Sequence, residues 1–183
     1  LGDVYKRQGL QEISNPAGLF LEERSNDASG SVVCACLEGN RPILVEVQAL
    51  VAKTPYGMPR RTAVGFDYNR VTMLLAILER RLGMDFGAYD AYVNVVGGMR
   101  VTEPAADLAV AAALVSSYRN RPIPHGVLVM GEVGLTGEVR RIGSPERRIK
   151  DAMNLGFKRF VLPMGKLSLD EPCNGCLLYT SDA

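Results

Sequence analysis

The sequence predicts an α/β domain, a mixed β-sheet with packed helices, and three observations predict it. Runs of strand character alternate with runs of helical periodicity along the chain. Glycine and proline turn signals separate these runs. The 183 residues, 47% of them hydrophobic and 22% charged, suffice for one sizeable core.

Taken in order, 31–37 and 42–51 are β-rich runs around a Glu38-Gly39-Asn40 turn and read as a hairpin. Residues 53–62 form a loop rich in proline and arginine, with Tyr56 and Met58 as exposed apolar anchors. Over 67–82, Val71, Leu74, Leu75, Leu78 and Leu82 recur at helical spacing; Asp67 can cap the start and Gly83 ends the helix. Residues 91–96 read as a strand. The next helix spans 104–118, with Pro104 suited to a first turn. It has no polar residue from 108 to 115, so burial nearly all round is expected. Strands follow at 127–133 and, after the Gly134-Leu135-Thr136-Gly137 turn, at 138–142. Ser144 and Pro145 cap and start a third helix ending at Gly156, and 160–162 is the last strand.

The two ends continue none of this periodicity. Residues 1–8 (LGDVYKRQ) and 176–183 (CLLYTSDA) read as non-native extensions, leaving a C-terminally truncated domain over 9–175. Cys34 and Cys36 share one strand face and should pack as small hydrophobes. Cys173 and Cys176 form a lone C-x-x-C, and His125 is the sole histidine, so no metal site is expected. Net charge is +1, so any anionic partner must be held by local clusters. No apolar run approaches the ~20 residues of a membrane span and no secretory h-region follows the start, giving the expectation of a cytoplasmic chain without a membrane partner.

The run YVNVVGG (92–98) feeds TEPAAD (102–107) at the start of the apolar helix. A strand, a glycine turn and a helix N-terminus form a place where α/β proteins often put a nucleophile, with backbone N–H groups ready for an oxyanion. Here that position holds Ala105, which has no hydroxyl or thiol.

Five stretches carry a family resemblance: SNPAGLFL (14–21), TPYGMPRRTAVGFDYNR (54–70), YVNVVGG, TEPAADLAVAAALVSS (102–117) and MGEVGLTGEVR (130–140). From Ile13 to Pro163 the chain resembles the C-terminal domain of the bacterial RadA (Sms) DNA repair family. That domain is similar to the proteolytic domain of Lon, a Ser/Lys protease related in fold to domain 2 of ribosomal protein S5. The resemblance places Ala105 on the Lon serine of D-G-P-S-A-G. It places Glu146, in the stretch Ile142-Gly143-Ser144-Pro145-Glu146, on the Lon lysine that follows I-G-G-L-K. A Ser/Lys mechanism needs a hydroxyl and a neutral amine, so the dyad is absent and the chain is expected not to be an enzyme. The competing reading is a Ser/Lys-type peptidase with a relocated nucleophile at Thr102, Ser116, Ser117 or Ser144; a third is a pure protein-interaction module.

Basic residues cluster at Arg60, Arg61 and Arg70, and again at Arg140, Arg141, Arg147, Arg148 and Lys150. Such clusters bind phosphate backbones through counterion release, and these eight are the DNA-binding candidates. The resemblance implies single-stranded or branched DNA, a hexameric ring engaged in branch migration, and a RecA-type recombinase as partners. No G-x-x-x-x-G-K-[ST] run occurs. ATP with Mg, and zinc, are therefore expected only in N-terminal domains of the parent ATPase, and no cofactor in this chain.

Overall fold

The computed structural model describes residues 28–163 and 177–181. Cys173, Cys176 and the extension at 1–8 lie outside them.

Strand β1 (Ser31–Glu38) pairs antiparallel with β2 (Arg41–Lys53), with Glu38 opposite Arg41, so the turn is Gly39-Asn40 alone. Gly39 takes φ +59°, the left-handed conformation such a two-residue turn requires. The predicted 53–62 loop gives its last residues to β3 (Arg61–Val64), which pairs parallel with β4 (Tyr89–Val95). Further strands are β5 (Val127–Val129), β6 (Glu132–Val133), β7 (Val139–Arg140), β8 (Arg159–Pro163) and β9 (Leu177–Ser181). Among the described residues the main sheet has seven strands in the order β3-β4-β2-β1-β5-β8-β9, and β6 pairs with β7 in a separate ribbon. Parallel and antiparallel pairs coexist, so the mixed α/β sheet is as expected.

Helix α1 (Tyr68–Leu82) starts where Asp67 accepts the Arg70 N–H at 2.8 Å and stops at left-handed Gly83. Its Val71, Leu74, Leu75 and Leu78 are buried as the spacing required, whereas Leu82 is half exposed beside the cap. Helix α2 (Asp107–Tyr118) packs on β2 and β1 with α1 against its other side, which accounts for its unbroken apolar run. Helix α3 (Pro145–Asn154) covers the opposite face of the sheet, where Val33, Ala35 and Leu128 meet Ile149, Ala152, Phe157 and Phe160. Strand β1 is thus buried on both faces, so its SVVCAC run does not alternate.

Several elements depart from the expected bounds. The single strand at 127–133 breaks after Val129, because Gly131 turns the chain toward α2: its N–H reaches Ala105 O at 2.8 Å and its carbonyl accepts the Leu108 N–H at 3.0 Å. The 138–142 strand shrinks to β7. Ser144 precedes α3 at φ +51° and makes no capping bond through its side chain. Residues 177–181, set aside with the C-terminal extension, run parallel along β8 from Leu177 beside Arg159 to Ser181 beside Pro163.

The face of β2-β4-β3 turned away from α1 and α2 carries Gln48, Leu50, Tyr92, Asn94 and Val64, with Leu50 and Val64 exposed. An open depression of about 280 Å³ there is lined by residues of β1, β2 and β4, Leu50 and Tyr92 among them. Among the described residues no helix is long and apolar enough to cross a membrane, and no group of three or more His, Cys, Asp or Glu is placed to hold a metal ion.

Gly65 closes the β3–α1 connection at φ +75°, where an added Cβ would stand 2.5 Å from the Met99 carbonyl oxygen and 2.7 Å from Val95 Cβ. Gly65→Ala should therefore cost about 2–4 kcal/mol in chemical denaturation. Gly39→Ala, strained in φ but with open space around it, should cost no more than about 1–2 kcal/mol.

Candidate functional site

Residues 102–107 form the hub of the site. Pro104–Ala106 is one turn of 3-10 helix that runs directly into α2. Ala105 is buried, and its carbonyl accepts the Gly131 N–H. The expected oxyanion donors are already engaged: the N–H of Ala106 reaches Glu103 O, that of Asp107 reaches Pro104 O, and that of Leu108 reaches Gly131 O. This helix start is tied into the fold.

Two carboxylates flank the turn, and each holds an arginine from a distant helix. Glu103 accepts the Leu37 N–H at 2.7 Å and both terminal nitrogens of Arg148, Nη1 at 2.9 Å. Arg148, with 0% exposure, is the largest fully buried side chain described. Its other bonds go to Ala35 O at 2.6 Å and Gly143 O at 2.9 Å. Burial pushes the Glu103 carboxyl up, but Arg148 and the Leu37 N–H outweigh this and hold it below its usual value of 4.5. On the other side, buried Asp107 accepts Nε of Arg70 at 2.8 Å, a second Arg70 bond and the Val133 N–H at 3.1 Å. Glu146, in the first turn of α3, lies two residues before Arg148, as Ala105 lies two after Glu103. The Glu103–Arg148 pair therefore draws together the two segments on which the dyad would stand.

The eight basic candidates separate sharply. Arg148 is buried and cannot reach a phosphate backbone, which corrects its place among them. Arg70 is clamped on Asp107 and also donates to Val133 O. Arg61 is half-buried, with its guanidinium on the Tyr89 and Phe86 carbonyls. Arg140 is exposed and paired with Glu138 at 2.7 Å; the Thr136 hydroxyl, with Arg140, holds that carboxyl down at about 2. Arg60, Arg141, Arg147 and Lys150 are exposed. Arg147 and Lys150, three apart on α3, share a helix face.

The relocated hydroxyls also find places. Ser116 accepts the Gly30 N–H at 2.9 Å and donates to Arg121 O, while Ser117 accepts the Val51 N–H at 2.9 Å. Ser117 thus pins β2 to α2, and Ser116 pins the residue before β1. Thr102 and Ser144 are exposed. Cys34 and Cys36 are buried with their sulfurs 3.6 Å apart, as small apolar packing requires. The mutual hydrogen bond and burial push the Cys34 thiol well above its ordinary value, away from the reactive thiolate.

Asp90 is the residue that the sequence did not reveal. One of its oxygens accepts both the Arg60 N–H at 2.8 Å and the Thr54 hydroxyl at 2.9 Å, the two ends of the 54–60 loop. Nothing in the sequence pairs Asp90 with residues thirty or more positions away; only the β2-β4-β3 arrangement does.

Removing one partner from a buried ion pair strands the other, at about 3–5 kcal/mol. Glu103→Ala should lose that much in urea denaturation, and Glu103→Gln less. Because the folded-state value of Glu103 is depressed, its contribution is complete above pH 4.5 and is lost as pH falls through the lower folded value. The wild-type chain should lose stability in that acid window, and Glu103→Gln should flatten the loss.

The family model described as "Subunit ChlI of Mg-chelatase" matches residues 47–166. The chain is 52% identical over 159 residues to the DNA repair protein RadA of Halalkalibacterium halodurans, covering 86% of this chain and 35% of that protein. It is 49% identical over 162 residues to the RadA of Bacillus subtilis (88% and 35%) and 50% identical over 165 residues to that of Pseudomonas aeruginosa (90% and 36%). The chain spans about a third of the length of these curated relatives.

These matches overturn two expectations, that the chain is not an enzyme and that it carries no cofactor. They point to an ATPase-type fold and to an ATP-binding domain inside residues 47–166. Those expectations rested on Ala105 and Glu146, which exclude Ser/Lys acyl transfer at one place and bear on no other chemistry. The residues described do not fit a glycine–lysine phosphate cradle: no G-x-x-x-x-G-K-[ST] run occurs, and no lysine stands in the first turn of α1, α2 or α3. The nucleotide is therefore assigned to no side chain. With well over half of its length matched, the chain belongs to the family described as subunit ChlI of Mg-chelatase and has DNA repair proteins named RadA as homologues.

Proposed function

We propose that this chain is a Lon proteolytic-domain-like part of a RadA-type DNA repair and recombination protein. In this reading it organises a hexameric ring and contacts the DNA backbone during branch migration, with a RecA-type recombinase as a partner of the whole protein. The observation that carries the DNA part is the exposed basic set Arg140, Arg141, Arg147 and Lys150 around the start of α3. The names of the homologues supply the repair context.

The ring part draws support from the rigidity of the 102–107 hub. A subunit that transmits force in a ring must not deform, and two ion pairs, each with one fully buried partner, tie β1, β6, α1 and α3 to one turn. The dyad positions serve this architecture: Ala105 fills a buried helix start, and Glu146 occupies the first turn of α3.

Phosphate contacts make affinity fall steeply with salt. Fluorescence anisotropy with single-stranded and branched oligonucleotides should show that dependence. Reversing Arg147 and Lys150 to glutamate should weaken both substrates by at least tenfold. Salt-independent affinity, or no response to the reversals, would refute the DNA part. For the ring, light scattering should find oligomers of the full-length protein; a monomer at high concentration would refute it.

A further inference from the structure

We infer that the 54–60 loop is a base-stacking tip for single-stranded nucleic acid, with Tyr56 as its platform. The inference rests on the DNA reading above and adds to it a second contact, of different chemistry, away from α3. Tyr56 is 94% and Met58 88% exposed, the two most exposed large apolar side chains described. A loop whose only role is to connect β2 to β3 gains nothing from displaying them.

This loop is also held firmly in shape. Thr54 and Arg60 meet on one oxygen of Asp90, and the Thr54 N–H adds a bond to Ala88 O at 3.0 Å. Just beyond, the Arg61 guanidinium caps the Tyr89 and Phe86 carbonyls. Pro55 and Pro59 restrict the backbone on either side of Gly57, which takes φ +83°. Little conformational entropy remains to be lost when a ligand docks on the tip.

The surrounding charge selects the ligand. Lys53 and Arg60 are exposed at the base of the loop, and the Asp90 carboxylate there is turned inward onto the loop ends. An aromatic ring with an apolar thioether beside it, over two cations, suits an unstacked base with its phosphates. A stacked duplex hides the faces of its bases, so single strands should be preferred.

The test uses the full 183-residue chain and fluorescein-labelled oligo(dT), read by anisotropy at several salt concentrations. Tyr56→Ala should weaken binding by about 5- to 100-fold, and Tyr56→Phe, which keeps the ring, by less than about twofold. Stacking releases no counterions, so Tyr56→Ala should leave the slope of log affinity against log salt unchanged. Arg60→Ala should make it shallower by about 0.7. Duplex of the same length should respond little to Tyr56→Ala. Because Tyr56 touches almost nothing in the fold, unchanged thermal melting of the variants checks that folding is intact. An unaltered oligo(dT) affinity in Tyr56→Ala overturns the inference, and more so if that variant shifts self-association in light scattering, which would make the tip a contact between copies. If the wild-type chain binds and the α3 reversals weaken it while Tyr56→Ala does not, the loop inference alone fails. If the wild-type chain binds no oligonucleotide, the DNA reading fails with it.

Discussion

The fold depends on two charge pairs, each with one fully buried partner, whose carboxylates stand four residues apart on either side of one proline turn. Glu103 and Asp107 sit at the junction where the β4 connection becomes α2, and each pairs with an arginine from another helix, so that one partner of each pair, Arg148 or Asp107, is fully buried. Buried ions are costly unless every donor and acceptor is satisfied. Here the buried partner of each pair has further bonds: Arg148 also bonds β1 and the loop before α3, and Asp107 also bonds β6. Apolar packing alone would let α3 slide over the sheet, whereas a bidentate guanidinium fixes both distance and angle.

The same hub explains why this helix start is architecture. A helix N-terminus binds an anion when its N–H groups are open. At 106–108 they are spent on Glu103, Pro104 and Gly131, and the Ala105 methyl is buried. Acyl transfer by a serine and a lysine has no atoms to use here. That exclusion is narrow. It does not reach enzymatic character in general or any cofactor, because the loss of one dyad constrains only the chemistry of that dyad, and the family match covers most of the same residues.

The surface divides into two regions of different character. Around the start of α3 the exposed cations lie on a rigid helix and the ribbon strand before it, suited to following a backbone. Across the sheet, the 54–60 loop projects aromatic and apolar groups from a base held by Asp90. The arginines in between, Arg61, Arg70 and Arg148, are internal struts. Sequence clustering cannot separate these roles, since a strut and a phosphate ligand are the same residue type at the same spacing.

Periodicity, caps and turn residues are local, and they determined the elements: the hairpin at Gly39-Asn40, α1 between Asp67 and Gly83, the buried run of α2, and the α/β class with its mixed sheet. What failed locally did so where a distant partner intervened. Gly131 leaves the strand because the 104–106 turn and α2 each offer it a hydrogen bond, and Arg61 begins β3 because β4 lies beside it. The tertiary structure alone decided which charges are buried. Arg148 meets Glu103 across forty-five residues, and Asp90 gathers Thr54 and Arg60 across thirty-six and thirty. Such pairings follow from strand order and helix placement, and the free energy of a charged side chain depends on what surrounds it in space, which its sequence neighbours do not specify.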